Sequence, residues 1–357
     1  MINKVDQQYK ETIKKILSTG TKKIDRTGTG TLSIFGHQMR FDMDDGFPLL
    51  TLRKIHTKTA IHEMLWFLGA YDQDKYGSFG NTNIRYLLDN GITIWSDWPY
   101  KEYMRNREYR PELPDLNMKE FESKIILDDD FAREFGSIGA GYSKQWLDFG
   151  GYTDKKRNGD KFDLTIHQGV NQIDYLINEL KKNPDSRRLI LNAWKADEIQ
   201  DTLLPPCHLM FQLYSEKMSN EVRLHAYSKW LVNNKLPLKP MLNNYDFPDR
   251  KLSLQIYQRS CDLGLGLSFN VAEYALLLSI ISQIVNMVPH ELIWIGGDVH
   301  IYNNHIDQMK KLLERSSYEL PMLILNKNIK NIYDFRYEDI IIENYKYHPN
   351  IKMNVAV

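Results

Sequence analysis

Leu252-Ser253-Leu254-Gln255-Ile256-Tyr257-Gln258 alternates in the manner of a strand, and the turn Gly264-Leu265-Gly266 follows it. Residues 272–286 then carry a long apolar helix pattern, and Leu292-Ile293-Trp294-Ile295 returns to strand character before Gly296-Gly297-Asp298, which reads as the strand's end. Strand and helix mix here without the regular alternation of a doubly wound parallel sheet. The pattern predicts an α+β fold, a large mixed β-sheet packed with helices.

The same pattern extends toward the N-terminus. Residues 209–214 read as another strand, residues 31–43 as a longer one, and residues 2–17 as a helix stopped at Ser18-Thr19-Gly20. Residues 58–68 have helical spacing, which puts Glu63 among Met64, Leu65, Trp66 and Phe67 and predicts it half-buried. Polar stretches near 71–83, 99–135 and 215–249 read as surface enlargements, the third joining two sheet neighbours. The expectation is one catalytic domain over residues 1–357 with three enlarged loops.

Composition narrows the function classes. With 46 Lys and Arg against 46 Asp and Glu, no net charge draws the 357-residue chain to nucleic acid or an anionic membrane. Its longest apolar stretch, 271–288, is broken by Glu273, Ser279, Ser282, Gln283 and Asn286, so no membrane span is expected. Two cysteines, Cys207 and Cys261, are too few for a disulfide framework, and no signal sequence opens the chain; a reducing, cytoplasmic setting is expected.

Cys207 stands in Leu204-Pro205-Pro206-Cys207-His208, where two prolines set the backbone direction just before a strand. That suits a nucleophile, and it equally suits a small buried apolar residue. A thiolate needs a positive neighbour, and Arg26, the Arg187-Arg188 pair and Arg259 are the arginines in distinctive settings; they would also suit an anion. Glu63 and Asp262 are candidates for proton transfer. Arg26-Thr27-Gly28-Thr29-Gly30-Thr31 is similar to phosphate loops but lacks their lysine and their preceding strand. His208, His300 and His305 lack metal-ligand spacing, so no metal is expected.

In order, Asp25-Arg26-Thr27-Gly28-Thr29-Gly30, Gly36-His37-Gln38-Met39-Arg40, His62-Glu63-Met64-Leu65-Trp66-Phe67-Leu68, Ile94-Trp95, Pro184-Asp185-Ser186-Arg187-Arg188, Pro205-Pro206-Cys207-His208, Gln258-Arg259-Ser260-Cys261-Asp262, Phe269-Asn270, Gly297-Asp298 and the closing Val355-Ala356-Val357 resemble the thymidylate synthase family over nearly the whole chain. The resemblance implies reductive methylation of dUMP to dTMP by 5,10-methylenetetrahydrofolate, a co-substrate that gives both the carbon and the hydride. It also implies a homodimer with a sheet face as its interface.

The resemblance gives each position a role. Cys207 would add to C6 of the pyrimidine. Arg26, Arg259 and Ser260 would hold the phosphate, with Arg187 and Arg188 reaching it from the other subunit. Asn270 would read the uracil edge, and His300 and Tyr302 would contact the sugar hydroxyl. Glu63 would move protons through water, and Tyr142 would assist loss of the C5 proton. Asp262 would bind the pterin, Ile94, Trp95, Trp98, Leu204, Gly266 and Phe269 would line the folate side, and Ala356 would belong to a closing C-terminal lid.

Some positions depart from the family pattern. Gly139-Ala140-Gly141-Tyr142-Ser143 stands for Gly-Pro-Val-Tyr-Gly, Leu147 for an arginine, Ser268 for a proline, Glu273 for a serine and Arg53 for a lysine at the folate tail. A buried, unpaired Glu273 carboxylate would be costly, so it either points away or alters the surroundings of Asn270 and Glu63. Trp95 and Leu204 favour methylation over the related 5-hydroxymethylation, in which water takes the methylene. Asn270 favours uracil over cytosine, for which an acid would suit. A relative that only binds nucleotide or RNA is the remaining alternative; no nucleic-acid partner is required.

Overall fold

A computed structural model describes residues 3–25, 28–158, 161–233 and 247–354. The first helix, Lys4–Thr19, buries Val5, Tyr9, Ile13 and Ile16 along one stripe. The Asn3 side chain caps it by accepting from the Asp6 N–H at 3.0 Å. At its other end the Gly20 N–H donates to the Ile16 carbonyl.

The strands are β1 (Thr21–Lys23), β2 (Thr31–Asp42), β3 (Tyr152–Asn158), β4 (Lys161–His167), β5 (Ile190–Asn192), β6 (His208–Lys217), β7 (Arg250–Asp262), β8 (Val288–Tyr302), β9 (Met322–Leu325) and β10 (Ile340–Glu343). Six form the main sheet in the order β1-β2-β8-β7-β6-β5, while β3-β4 and β9-β10 are separate pairs. Only β7 and β8 run parallel within the main sheet. The expected α+β class with a mixed sheet is what the chain forms.

Between the parallel strands runs the helix Gly266–Ile284, buried on every side because β7 and β8 lie against it on one flank and the helix Thr57–Leu68 on another. Leu277, Leu278, Ile280 and Ile281 are fully enclosed; each such side chain contributes about 1.5–3 kcal/mol relative to exposure. This helix has the length and apolarity of a membrane span, yet most of it is buried inside the protein.

Two expectations change. Gly296 and Gly297 do not end β8, which continues to Tyr302. Gly296 is required because the Trp294 ring and Val299 occupy the place of a Cβ. The stretch 99–135, read as a surface excursion, is largely the helices Asp97–Arg107, Met118–Leu127 and Asp129–Phe135, whose Tyr103, Phe121, Phe131 and Phe135 pack tilted or edge-on in a buried cluster. Between β6 and β7 the helix Asn220–Asn233 occupies the described part of the third enlargement.

Candidate active site

Cys207 immediately precedes β6 and is half-buried. Because Pro205 and Pro206 have no N–H, carbonyls are what this turn can offer a tether. Arg259 takes them: its Nε donates to the Pro206 carbonyl at 2.9 Å and Nη2 to that of Pro205 at 2.8 Å. Its own backbone N–H donates to the Cys207 carbonyl at 2.8 Å. The Cys207 N–H donates to the Tyr142 phenol at 2.8 Å, so one arginine and one tyrosine fix the thiol's backbone.

Tyr142 has a φ of 33°, which a non-glycine residue rarely adopts. Its buried ring stacks on Phe67 at 4.8 Å and leans on His208 at 4.5 Å. Burial raises the Tyr142 phenol well above its usual range and lowers His208 to about 3, so both stay neutral. His208 Nδ1 lies 2.8 Å from the Tyr274 hydroxyl.

Glu63 is more enclosed than expected, 8% exposed, and accepts from the Trp95 indole N–H at 2.6 Å. Asn270 opens the second turn of Gly266–Ile284. Its Oδ1 accepts from Gln258 Nε2 at 2.9 Å, and Gln258 Oε1 accepts from the Trp294 indole at 2.9 Å. The Asn270 amide donates to Glu273 Oε2 at 3.2 Å. Glu273 therefore does not point away; it is fully buried beside the two groups it was expected either to avoid or to alter. Burial raises both glutamates, and the Glu63 charge raises Glu273 further.

The parallel pairing of β7 with β8 sets Asp262 opposite His300 and Ser260 opposite Asp298. Burial raises Asp262, which accepts from the Gly264 N–H at 2.8 Å, with His305 Nδ1 4.0 Å away. His300 Nδ1 meets Asp298 at 3.1 Å, and Tyr302 lies edge-on to the His300 ring. Trp98 packs against Trp95 at 5.6 Å; Trp98, Leu204, Gly266 and Phe269 are half-buried, and Ile94 is exposed.

Arg187 and Arg188 are exposed just ahead of β5. Arg26 and Ala356 lie outside the described residues. Arg53, read as the counterpart of a folate-tail lysine, is 3% exposed and donates to the Gly264 carbonyl at 2.8 Å and to Ser268 Oγ at 3.0 Å. Two departures from the family pattern thus bond to each other. Sequence reasoning missed Gln258 and Trp294; a polar amide directly after the apolar pair Ile256-Tyr257 and next to Arg259 was the available signal. Among the described residues no group of three or more His, Cys, Asp and Glu is placed to hold a metal.

The described geometry brings a thiol, a buried carboxyl pair, an amide and an arginine to one end of the sheet. A sequence profile of the family described as "Thymidylate synthase" matches residues 7–357. Among the relatives, thymidylate synthase from Mycoplasma mobile is 42% identical over 351 residues, 98% of this chain and 100% of the relative. That from Malacoplasma penetrans is 42% identical over the same shares, and that from Mycoplasma genitalium 36%. Matched so along nearly its whole length, the chain belongs to the thymidylate synthase family.

Proposed function

We propose that the methylation of dUMP to dTMP, the activity of this family, runs in this chain through Cys207 as nucleophile with 5,10-methylenetetrahydrofolate as co-substrate. The observation that carries this is the double tether of Cys207, to Tyr142 by its N–H and to Arg259 by its carbonyl. Such a tether presents a thiol at one fixed place, as near-attack geometry requires. Addition of sulfur to C6 pushes an electron pair toward C5 and O4, and the Asn270 amide is the donor for O4. C5 then takes the carbon from the folate, and C5 loses its proton with help from Tyr142 and water held by Glu63 as the carbon–nitrogen bond to tetrahydrofolate breaks, leaving an exocyclic methylene on the base. Hydride from the tetrahydrofolate reduces that methylene to the methyl group, giving dihydrofolate, as C5=C6 re-forms and the C6–sulfur bond breaks to return the thiolate.

Arg26 and Arg259 with Ser260 bind the phosphate, and His300 and Tyr302 the sugar. Apolar side chains left partly open at Ile94, Trp98, Leu204 and Phe269 suit a flat pterin ring, for which Asp262 is the polar partner. Buried Trp95 supports exclusion of water, hence methylation over hydroxymethylation. Arg187 and Arg188 reach the partner's phosphate in a cytoplasmic homodimer. Phe35 on β2, at 83% exposure, and exposed Ile190 and Tyr214 on β5 and β6 are apolar sheet residues that one chain leaves uncovered, which supports a sheet-face interface.

The test is Cys207→Ser. It abolishes tritium release from 5-tritiated dUMP while dUMP still binds; undiminished release overturns the proposal. Following dihydrofolate absorbance and product mass in the unmodified enzyme separates a methyl from a hydroxymethyl product.

A further inference from the structure

Six side chains form one directional chain. An indole N–H can only donate. Trp294 therefore turns Gln258 Oε1 toward itself, at 2.9 Å, and Gln258 Nε2 toward Asn270 Oδ1. With its oxygen so engaged, Asn270 points Nδ2 at Glu273 Oε2. From the other end the Trp95 indole donates to Glu63 Oε1 at 2.6 Å. Both ends are fixed by groups whose role cannot reverse.

The two ends meet at a pair of carboxyls. Glu273 is 0% exposed, and its Oε1 has no hydrogen-bond donor among the described residues. Its neighbour is Glu63. Neither carboxyl is in an ion pair among those residues. Tyr142 and Tyr274, which lie by the pair, and His208, which packs on both tyrosines, are buried and held neutral. Two adjacent buried carboxyls without a counter-charge cannot both ionise, whereas one proton between them satisfies both.

We propose that Glu273 is a neutral carboxylic acid that donates from Oε1 to Glu63 and accepts at Oε2 from Asn270, a positioning residue that holds the Asn270 amide in the orientation preferring uracil over cytosine. Uracil offers an acceptor at O4 and a donor at N3, and cytosine the reverse at C4 and N3. An asparagine turned over about its last bond would match cytosine. Turning it over here would set Oδ1 against Glu273 Oε2 and Nδ2 against Gln258 Nε2. Glu273 cannot relieve the clash, because its proton is committed to Glu63. The neutral acid and the buried Gln258 amide thereby specify one base.

The inference rests on the reading of Asn270 as the group that meets the base, and its test separates the two. The ratio of dUMP to dCMP specificity, taken from C5 tritium release with each nucleotide, is measured in the full-length enzyme. Glu273→Ala lowers that ratio by at least about tenfold, the scale of one paired base contact. Glu273→Gln, whose amide accepts from Asn270 and donates to Glu63, recovers it. A ratio unchanged in E273A, or equally lost in E273Q, overturns the positioning role.

Infrared difference spectra of the unmodified enzyme minus E273Q, at neutral pH, contain a protonated-carboxyl C=O band. Its absence overturns the neutral acid, whatever the stability of E273A. Asn270→Asp shifts the ratio toward dCMP. If it does not, the base-reading role of Asn270 falls and takes the specificity claim with it, while the infrared band still decides the shared proton.

Discussion

The Tyr142 phenol accepts the backbone N–H of Cys207 at 2.8 Å, so the residue with the most unusual backbone in the site directly holds the residue carrying the thiol. Tyr142→Phe removes that acceptor and leaves a partly buried N–H without it, at a cost of about 1–3 kcal/mol. We expect a lowered thermal midpoint and a kcat reduced by about a hundredfold, with KM for dUMP changed much less. A variant with normal kcat would remove Tyr142 from the proton-transfer step.

Arg53 and Ser268 couple. The buried guanidinium donates to Ser268 Oγ and to the Gly264 carbonyl. Denaturant midpoints of Arg53→Lys, Ser268→Ala and the double variant should give a coupling of about 1–3 kcal/mol. Additive changes would show that the two residues do not act together.

Histidines give the stability an acid limb. Burial lowers His208 to about 3 and His62 to about 4 from 6.5. Below 6.5 the unfolded chain binds protons that the folded chain refuses, so this contribution is full above 6.5 and is lost as pH falls toward 4 and then 3. Glu63 and Glu273, raised by burial, have the opposite sign: the folded state keeps their protons above 4.5, a contribution present in acid and lost as pH rises through their folded values. The His62→Gln/His208→Gln double variant should show a flatter fall in thermal midpoint from pH 6.5 to 4, each protein referred to its own pH 7 value.

Much of this was legible in the sequence, and the misses have physical causes. The alternation in 252–258 and the helical run after Gly266 depend on local periodicity, and both stand in the structure. Gly296-Gly297 was misread as a stop because glycine ordinarily weakens a strand; here the Trp294 ring demands it. The 99–135 stretch hid its core because Tyr103, Phe121, Phe131 and Phe135 meet only after three helices fold together. The burial of Arg53 was not legible, since it is decided by partners more than two hundred positions away.

Subunit mixing tests the assignment of Arg187 and Arg188, both exposed ahead of β5. Cys207→Ser and Arg187→Ala/Arg188→Ala should each lack activity alone. If the arginines serve the partner's site, a hybrid dimer has one fully intact site, and random exchange should restore about a quarter of the unmodified activity. No recovery after demonstrated exchange would place the arginines in their own subunit's site.

Gly296 has no functional group, yet the space it leaves is filled by the Trp294 ring, whose indole turns Gln258 and, through it, Asn270. With Asn270 reading the base as proposed, a hydrogen atom in the middle of β8 becomes an upstream determinant of chemical choice. An inherited Gly296→Ala change, which inspection of the catalytic groups would pass as silent, belongs among the mutations that could rewrite which nucleotide the enzyme accepts.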